Sequence, residues 1–369
     1  MAKEFKTETQ KEYADRLEQI FKELPDFCRT FFSGKRSLSK ITAVSYAGNL
    51  RSFFLYLANN NTYFADKIIV RDNHITTNHL ILPELDKITS DDIDEFAMNL
   101  EKNGCSKETV EHYISALSSM WNFFVRRHQL TYNPVDAVER QKPKKEHIIR
   151  LSDNEREMFL KSVNYGSGLT AKEQIFHKRN KERDYAIYKL FLGTGMRVSE
   201  LAGIDLTDIN FDDKSINIVR KGGNEQKVYF SDTCENALRD YMLIRSRFKP
   251  LENEKALFLS PQGKRLSIRS IQKLTTKYIH AAIPDENEHI TTHKLRSTYA
   301  TDLLEKTGDI KMVSEVLGHT HVTTAEKYAE YIDADHKKIP DTPTAKARWV
   351  LNYIDFQIYS KAYKTNLFR

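Results

Sequence analysis

Apolar residues recur at helical spacing through the first part of the chain. Ala43, Tyr46, Ala47, Leu50, Phe53, Phe54 and Leu57 follow the i, i+3, i+4, i+7 rule of a single helix face, with Ser39 placed to cap it. Ile93, Phe96, Ala97 and Leu100 repeat the pattern. Thr89 or Ser90 suits that start, acids fill the first turn, and Gly104 suits the end. A third run, Val110, Tyr113, Ile114, Leu117, Met120, Trp121, Phe124 and Val125, lies behind Ser106. A further helix is expected near residues 9–24, which makes this region a small all-helical domain.

The pattern changes after Asn133-Pro134. Residues 140–150 carry Arg140, Lys142, Lys144, Lys145 and Arg150 against the single acid Glu146, and their like charges and proline predict an interdomain linker. Beyond it, residues 183–192 and 197–204 read as helices separated by Gly193-Thr194-Gly195. Ile216 and Ile218 alternate with polar residues, Lys221-Gly222-Gly223-Asn224 turns, and Val228, Tyr229 and Phe230 return, the signature of a β-hairpin. Helices dominate again from about 268 to 330. The predicted fold is mainly α with a small β-sheet, in two domains.

Composition narrows the class. With 40% hydrophobic and 29% charged residues the chain can bury real cores and is not a disordered polyelectrolyte. A net charge of +6 admits a polyanionic partner without requiring one. Cys28, Cys105 and Cys234 are few and far apart, with no CxxC pair, so no disulfide framework or thiolate metal site is expected and a reducing cytoplasmic location is. The polar first residues do not make a signal peptide, and no apolar run is long enough to span a membrane.

Four segments carry candidate chemistry: TGMRVSEL with Arg197, RKGGN with Lys221, HKLRSTYAT with His293 and Arg296, and LGHTHVTTAEKY with His319 and Tyr328. Taken singly, each has a plainer explanation, since an arginine after a glycine-rich turn is usually solvated and a tyrosine usually sits in a core. Their order and spacing are specific. Arg, Lys, His-x-x-Arg, Leu-Gly-His and a tyrosine nine residues after that histidine resemble the tyrosine recombinase (phage integrase) family. The likeness extends to the helical region, where ITSDDIDEFAMNLEKNG and SKETVEHYISALSSMWNFFVRRHQLTYNPVD look like that family's core-binding domain. NKERD at 180–184 together with RKGG is similar to the XerS-type single recombinases of the Xer branch.

The resemblance implies a two-domain clamp. A helical core-binding, SAM-like domain would occupy residues 8–138, a basic linker 139–150 and the catalytic domain 151–335. A tail would follow at 336–369, where Val350, Leu351, Ile354 and Ile358 recur at helical spacing. That tail is expected to dock on its own catalytic domain or on a neighbouring protomer. The resemblance also implies site-specific cutting and rejoining of double-stranded DNA, in chromosome-dimer resolution or in integration and excision of a mobile element. Four protomers would act on two DNA sites, with neither metal nor nucleotide cofactor. Tyr328 would be the nucleophile, Arg197, Arg296 and His319 would hold the non-bridging phosphate oxygens, His293 would serve proton transfer at the tyrosine, and Lys221 would protonate the leaving 5′-oxygen.

Several positions stay open. Lys227 competes with Lys221, His321 with His319, and Tyr331 with Tyr328, each in a poorer match to the motif. Relatives usually show Gly-Lys-Gly at the hairpin, where this chain has Arg220-Lys221-Gly222-Gly223. Glu200, three residues after Arg197, is expected as a surface ion-pair partner in preference to an orienting group, and Tyr299 as core. Two other classes share parts of the pattern. A DNA-binding protein on a decayed recombinase fold would lack a nucleophile or arginine, and a type IB topoisomerase-like enzyme would relax plasmids without a specific site.

Overall fold

The computed structural model describes residues 2–140, 150–220, 223–284 and 290–318, with side chains described from residue 11 onward. They fall into two compact units, drawn from residues 3–146 and 147–369.

The first unit is built from α1 (Ala2–Phe21), α2 (Asp26–Gly34), α3 (Lys40–Asn60), the short α4 (Thr62–Ala65), the strands β1 (Ile68–Arg71) and β2 (His74–Asn78), α5 (Ser90–Lys102) and α6 (Lys107–Val125). The three predicted helix faces are α3, α5 and α6. Their caps work as the sequence indicates: Ser39, Thr89 and Ser106 accept from the backbone N–H groups of Thr42, Asp92 and Thr109. Leu50, Phe53, Phe54 and Leu57 of α3 bury against Ile93 and Phe96 of α5 and Ile114, Leu117 and Trp121 of α6. The ring of Phe53 lies 5.1 Å from that of Phe96 and 6.0 Å from that of Trp121, both edge-to-face.

This unit is not all-helical, which corrects the expectation above. β1 and β2 pair antiparallel, Arg71 opposite His74. The two residues between them, Asp72 and Asn73, both take positive φ (49° and 64°). That is the backbone a two-residue hairpin needs to match the strand twist, and Asp and Asn tolerate it better than most residues. Ile68 and Ile75 turn inward onto the helical core.

The second unit comprises α7 (Asp153–Tyr165), α8 (Ala171–Thr194), α9 (Val198–Ala202), the strands β3 (Ile209–Asn210), β4 (Ser215–Val219) and β5 (Glu225–Tyr229), then α10 (Asp232–Ile244), α11 (Ile268–Ala282), α12 (Thr292–Thr307) and α13 (Ile310–Leu317). The sheet is antiparallel in the order β3-β4-β5, with Ile216 opposite Val228 and Val219 opposite Glu225. Helix α8 is the spine: Ala186, Ile187, Leu190 and Phe191 share one core with Phe159, Leu238, Tyr278 and Leu295. It begins twelve residues before the predicted start and runs through Gly193 to Thr194. The apolar pattern missed that first half because its buried face is polar: His177, Asn180, Arg183 and Asp184. Arg183 and Asp184 are compensated internally. Arg183 Nη2 lies 2.7 Å from Asp184 Oδ1, its Nη1 donates to the Leu259 carbonyl, and the Tyr278 hydroxyl donates to Asp184 Oδ2.

Of the linker, Arg140 and Arg150 are described. Arg140 donates to Ser115 Oγ at 3.4 Å, and Arg150 pairs with Glu305 at 3.0 Å. The C-terminal tail lies outside the described residues.

Candidate active site

Helix α8 ends because Gly195 takes a left-handed turn (φ 60°), its N–H bonding back to the Phe191 carbonyl. A Cβ at that position would lie 2.3 Å from the ring of Tyr299, so glycine is required by space as well as by φ. The reversal puts Arg197 at the N-cap of α9. Its backbone N–H donates to Glu200 Oε2 at 2.7 Å and its Nη1 to Glu200 Oε1 at 3.0 Å. The Arg197 side chain remains 35% exposed, whereas that of Glu200 is 3% exposed. Glu200 is therefore not a surface partner, as expected above, but the buried orienter of Arg197.

Arg296 projects from α12 and is buried. Its Nη1 donates to the Gly195 carbonyl and its Nη2 to the Leu317 carbonyl, both at 2.6 Å. The first contact ties it to the turn that presents Arg197. The second ties it to the C-terminal end of α13, where helix carbonyls have no intrahelical donor and the dipole is negative. His293 lies one turn before Arg296 on α12 and is exposed, and its carbonyl accepts from Ser297 Oγ at 3.3 Å.

Arg220, which the sequence showed only as a departure from the usual hairpin, joins the same knot. Its Nη1 donates to the Leu317 carbonyl at 2.6 Å and lies 3.4 Å from Glu200 Oε1, and its Nη2 donates to the Val316 carbonyl at 2.7 Å. Burial lowers the guanidinium pKa and the Arg197 charge lowers it further, against the carboxylate of Glu200, which raises it.

The structure thus gathers Arg197 and Arg296, with Arg220 and Glu200, around one turn and one helix end. Lys221, His319 and Tyr328 lie outside the described residues, as do their competitors His321 and Tyr331. Lys227 is described and engaged elsewhere, 2.8 Å from Asp213. Tyr299 is half-buried against Gly195. Among the described residues no three His, Cys, Asp or Glu side chains stand together as metal ligands, and no helix is long and apolar enough to cross a membrane.

A second feature belongs to the helical unit. A cavity of about 590 Å³ is lined by Lys35, Arg36, Arg126, Arg127 and Arg140, with serines between them and no carboxylate among its described lining residues. Lys35 is half-buried and donates to Ser119 Oγ. Burial lowers its pKa, and the charge of Arg126 lowers it further. Arg127 stacks 4.0 Å from the centre of the Phe123 ring. Sequence reasoning missed this site because its charges come from the end of α2, the end of α6 and the chain beyond. The short runs KRSLSK and VRR, with Arg140 of the basic linker, were its trace.

Residues 167–334 match the family described as the phage integrase family. The tyrosine recombinase XerC of Caldanaerobacter subterraneus subsp. tengcongensis is 31% identical over 314 residues, 82% of each chain. The tyrosine recombinase XerS of Streptococcus agalactiae is 28% identical over 360 residues, 89% of this chain and 98% of that one. Among solved structures, the XerH site-specific recombinase bound to a palindromic difH substrate in a post-cleavage complex has the same fold, with a TM-score of 0.62 at 21% identity, over 82% of this chain and 80% of that one.

Proposed function

The chain belongs to the tyrosine recombinase family of site-specific DNA recombinases, and on that premise we propose that it cleaves DNA with Tyr328 and a phosphate clamp formed by Arg197 and Arg296. The Tyr328 oxygen attacks phosphorus, a phosphotyrosyl bond forms at the 3′ side, and the bond to the 5′-oxygen breaks. His293 takes the tyrosine proton and Lys221 gives one to the departing 5′-oxygen. His319 donates to a non-bridging oxygen. The phosphotyrosyl link conserves the bond energy, so a 5′-hydroxyl from another strand can reverse the step. This is what recombination requires, in chromosome-dimer resolution or in integration.

The observation that carries this reading is the shared anchoring of the two arginines. Arg296 donates to the carbonyl of Gly195, two residues before Arg197. Two guanidinium groups held this way are preorganised for a phosphorane whose charge grows in the transition state. Guanidinium keeps its charge at any working pH and offers a flat fork matched to phosphate oxygens. The basic cavity of the helical unit would hold backbone phosphates of the same duplex, positioning it without reading bases. XerH was crystallised on a DNA substrate; for this chain the family resemblance implies four protomers on two sites.

The test is a nicked suicide substrate that traps the covalent adduct on a denaturing gel. Wild type forms the adduct, and Tyr328→Phe forms none while still binding the site, because the ring is kept and only the nucleophilic oxygen is lost. An adduct in the Phe variant, with Tyr331 in the linked peptide, would overturn the assignment.

A further inference from the structure

Arg220 stands where the family's hairpin usually has glycine, directly before Lys221. A glycine there could make none of the side-chain contacts seen here. The Arg220 side chain is 7% exposed. Its Nε donates to Gln226 Oε1 at 2.7 Å, its Nη1 to the Leu317 carbonyl, with Glu200 3.4 Å away, and its Nη2 to the Val316 carbonyl. Gln226, on the opposite arm of the hairpin, donates in turn to the Glu315 carbonyl at 3.3 Å. Both arms are therefore fastened to the last turn of α13, Arg220 at carbonyls that have no intrahelical donor.

Two further details show that the chain is fitted around this side chain. The Arg220 backbone N–H donates to the Asn224 carbonyl and the Gly223 N–H donates to the Arg220 carbonyl, so the same residue closes the turn. Gly318, with φ 61°, passes so close that a Cβ there would lie 2.8 Å from Arg220 Nε. A lysine at 220 could not replace the fork, since a single ammonium cannot reach two carbonyls, an amide and a carboxylate in this planar arrangement.

We propose that Arg220 is a positioning residue for the cleavage step, pinning the β4–β5 hairpin to the C-terminal end of α13. One guanidinium then fixes, relative to Glu200 and Arg197, both the strand end that leads into Lys221 and the helix end that leads into His319. Its Nε, Nη1 and Nη2 all donate to protein groups, and the role assigned to it is to place the hairpin, apart from the clamp of Arg197 and Arg296. This inference rests on the reading of Lys221 as proton donor to the 5′-oxygen.

The experiment compares rates of covalent adduct formation on two substrates, one with the ordinary 5′-oxygen at the scissile bond and one with a bridging 5′-sulfur, which leaves without a proton. The full chain is used as wild type, Arg220→Ala, Gln226→Ala and Lys221→Ala. Arg220→Ala should slow the oxygen substrate by roughly tenfold to a hundredfold, the loss expected on removing a charged hydrogen-bond anchor. Sulfur should restore most of its rate, as it should for Lys221→Ala. Gln226→Ala removes two contacts of a neutral side chain at a half-buried site and should show the same signature at a few-fold level; it carries the test should Arg220→Ala lose its cooperative melt. If Lys221→Ala is rescued by sulfur but the Arg220 and Gln226 variants are slowed equally on both substrates, or not slowed, the positioning role is overturned. If Lys221→Ala itself is not rescued, the proton-donor reading fails and this inference falls with it.

Discussion

The two units of this chain are held together by different chemistry. In the helical unit the described core is rings and aliphatic side chains, Phe27, Phe31, Phe53, Phe54, Phe96, Trp121 and Phe124 among them. Its buried polar side chains, among those described, are Glu84 and Asn133. Its cations are displayed around a surface cavity. The other unit takes its arginines inside. Arg183, Arg220, Arg245 and Arg296 are all buried, and each donates to one or more main-chain carbonyls at loops or helix ends. Under the proposed function, the difference follows from what each unit would have to do. A surface that grips a polyanion needs a firm scaffold and exposed charge, which an apolar core supplies. A site that must stabilise a brief negative charge needs guanidinium groups with few alternative positions, and carbonyl acceptors in a buried setting provide that.

The sharpest way to break this comparison is to delete one anchor from each unit. Phe53→Ala removes a ring at the centre of the helical core and should cost about 3–5 kcal/mol. Arg296→Met keeps the length of the side chain but takes the donors from the Gly195 and Leu317 carbonyls. The loss of preorganised charge should slow cleavage by about a hundredfold or more, a barrier of roughly 3 kcal/mol. Denaturant unfolding and suicide-substrate cleavage, measured on both, separate the two effects. Below its unfolding midpoint, Phe53→Ala should cleave normally once DNA is saturating. Near wild-type cleavage by Arg296→Met would remove that arginine from the site. Arg197→Ala sharpens the contrast further: its exposed side chain predicts a similar kinetic loss with little change in stability.

The contrast also explains what could be read in the sequence. Helices α3, α5 and α6 were legible because burial there follows apolar period and because serine and threonine caps mark the starts. The start of α8 was not, since His177, Asn180, Arg183 and Asp184 occupy its inner face. A Thr170-x-x-Glu173 capping box was the overlooked signal: Thr170 Oγ1 accepts from the Glu173 N–H and Glu173 accepts from the Thr170 N–H. In the hairpin β1–β2, the Asp72-Asn73 pair between β-branched residues was the missed cue. At the site, Arg197 and Arg296 were visible as spaced motif residues. Arg220 as an anchor was not, because its partners are a carboxylate 20 residues away and main-chain carbonyls 96 and 97 residues away; for Glu200 the pairing with Arg197 was legible but its burial was not. Main-chain acceptors leave no trace in a pattern of side chains.

A smaller effect probes the cavity of the helical unit. Each phosphate held by Arg126 or Arg127 releases counterions, so replacing either by alanine should weaken binding to any duplex and reduce the salt slope by about one. Fluorescence anisotropy across a potassium chloride series measures it. An unchanged slope in both variants would mean that the cavity faces no phosphate. Cleavage at saturating DNA should be unaffected, which again divides grip from chemistry.

The smallest expected effect comes from Glu84, the one buried carboxylate among the described residues of the helical unit. Burial by itself raises the Glu84 pKa, but Lys67, the Ile81 N–H and the Tyr63 hydroxyl all favour the ionised form, and together they bring it from an ordinary 4.5 to about 2. Tyr63 donates to Oε1 at 2.7 Å and Ile81 to Oε2 at 3.0 Å, with Lys67 also on Oε1. Because the folded pKa is the lower one, the stabilisation is fully present above pH 4.5 and is lost as pH falls through the window down to about 2. Lys67 is partly exposed, so solvent screening keeps the contribution of the pair small. Glu84→Gln should therefore flatten the pH dependence of unfolding between these values while changing the midpoint little at about pH 2 and below. The chain has two tryptophans. A Trp349→Phe background leaves Trp121, buried in this core, as the sole fluorescent reporter of the helical unit. An acid limb as steep in Glu84→Gln as in wild type would show that this unit's acid sensitivity arises at its surface and not at its buried carboxylate.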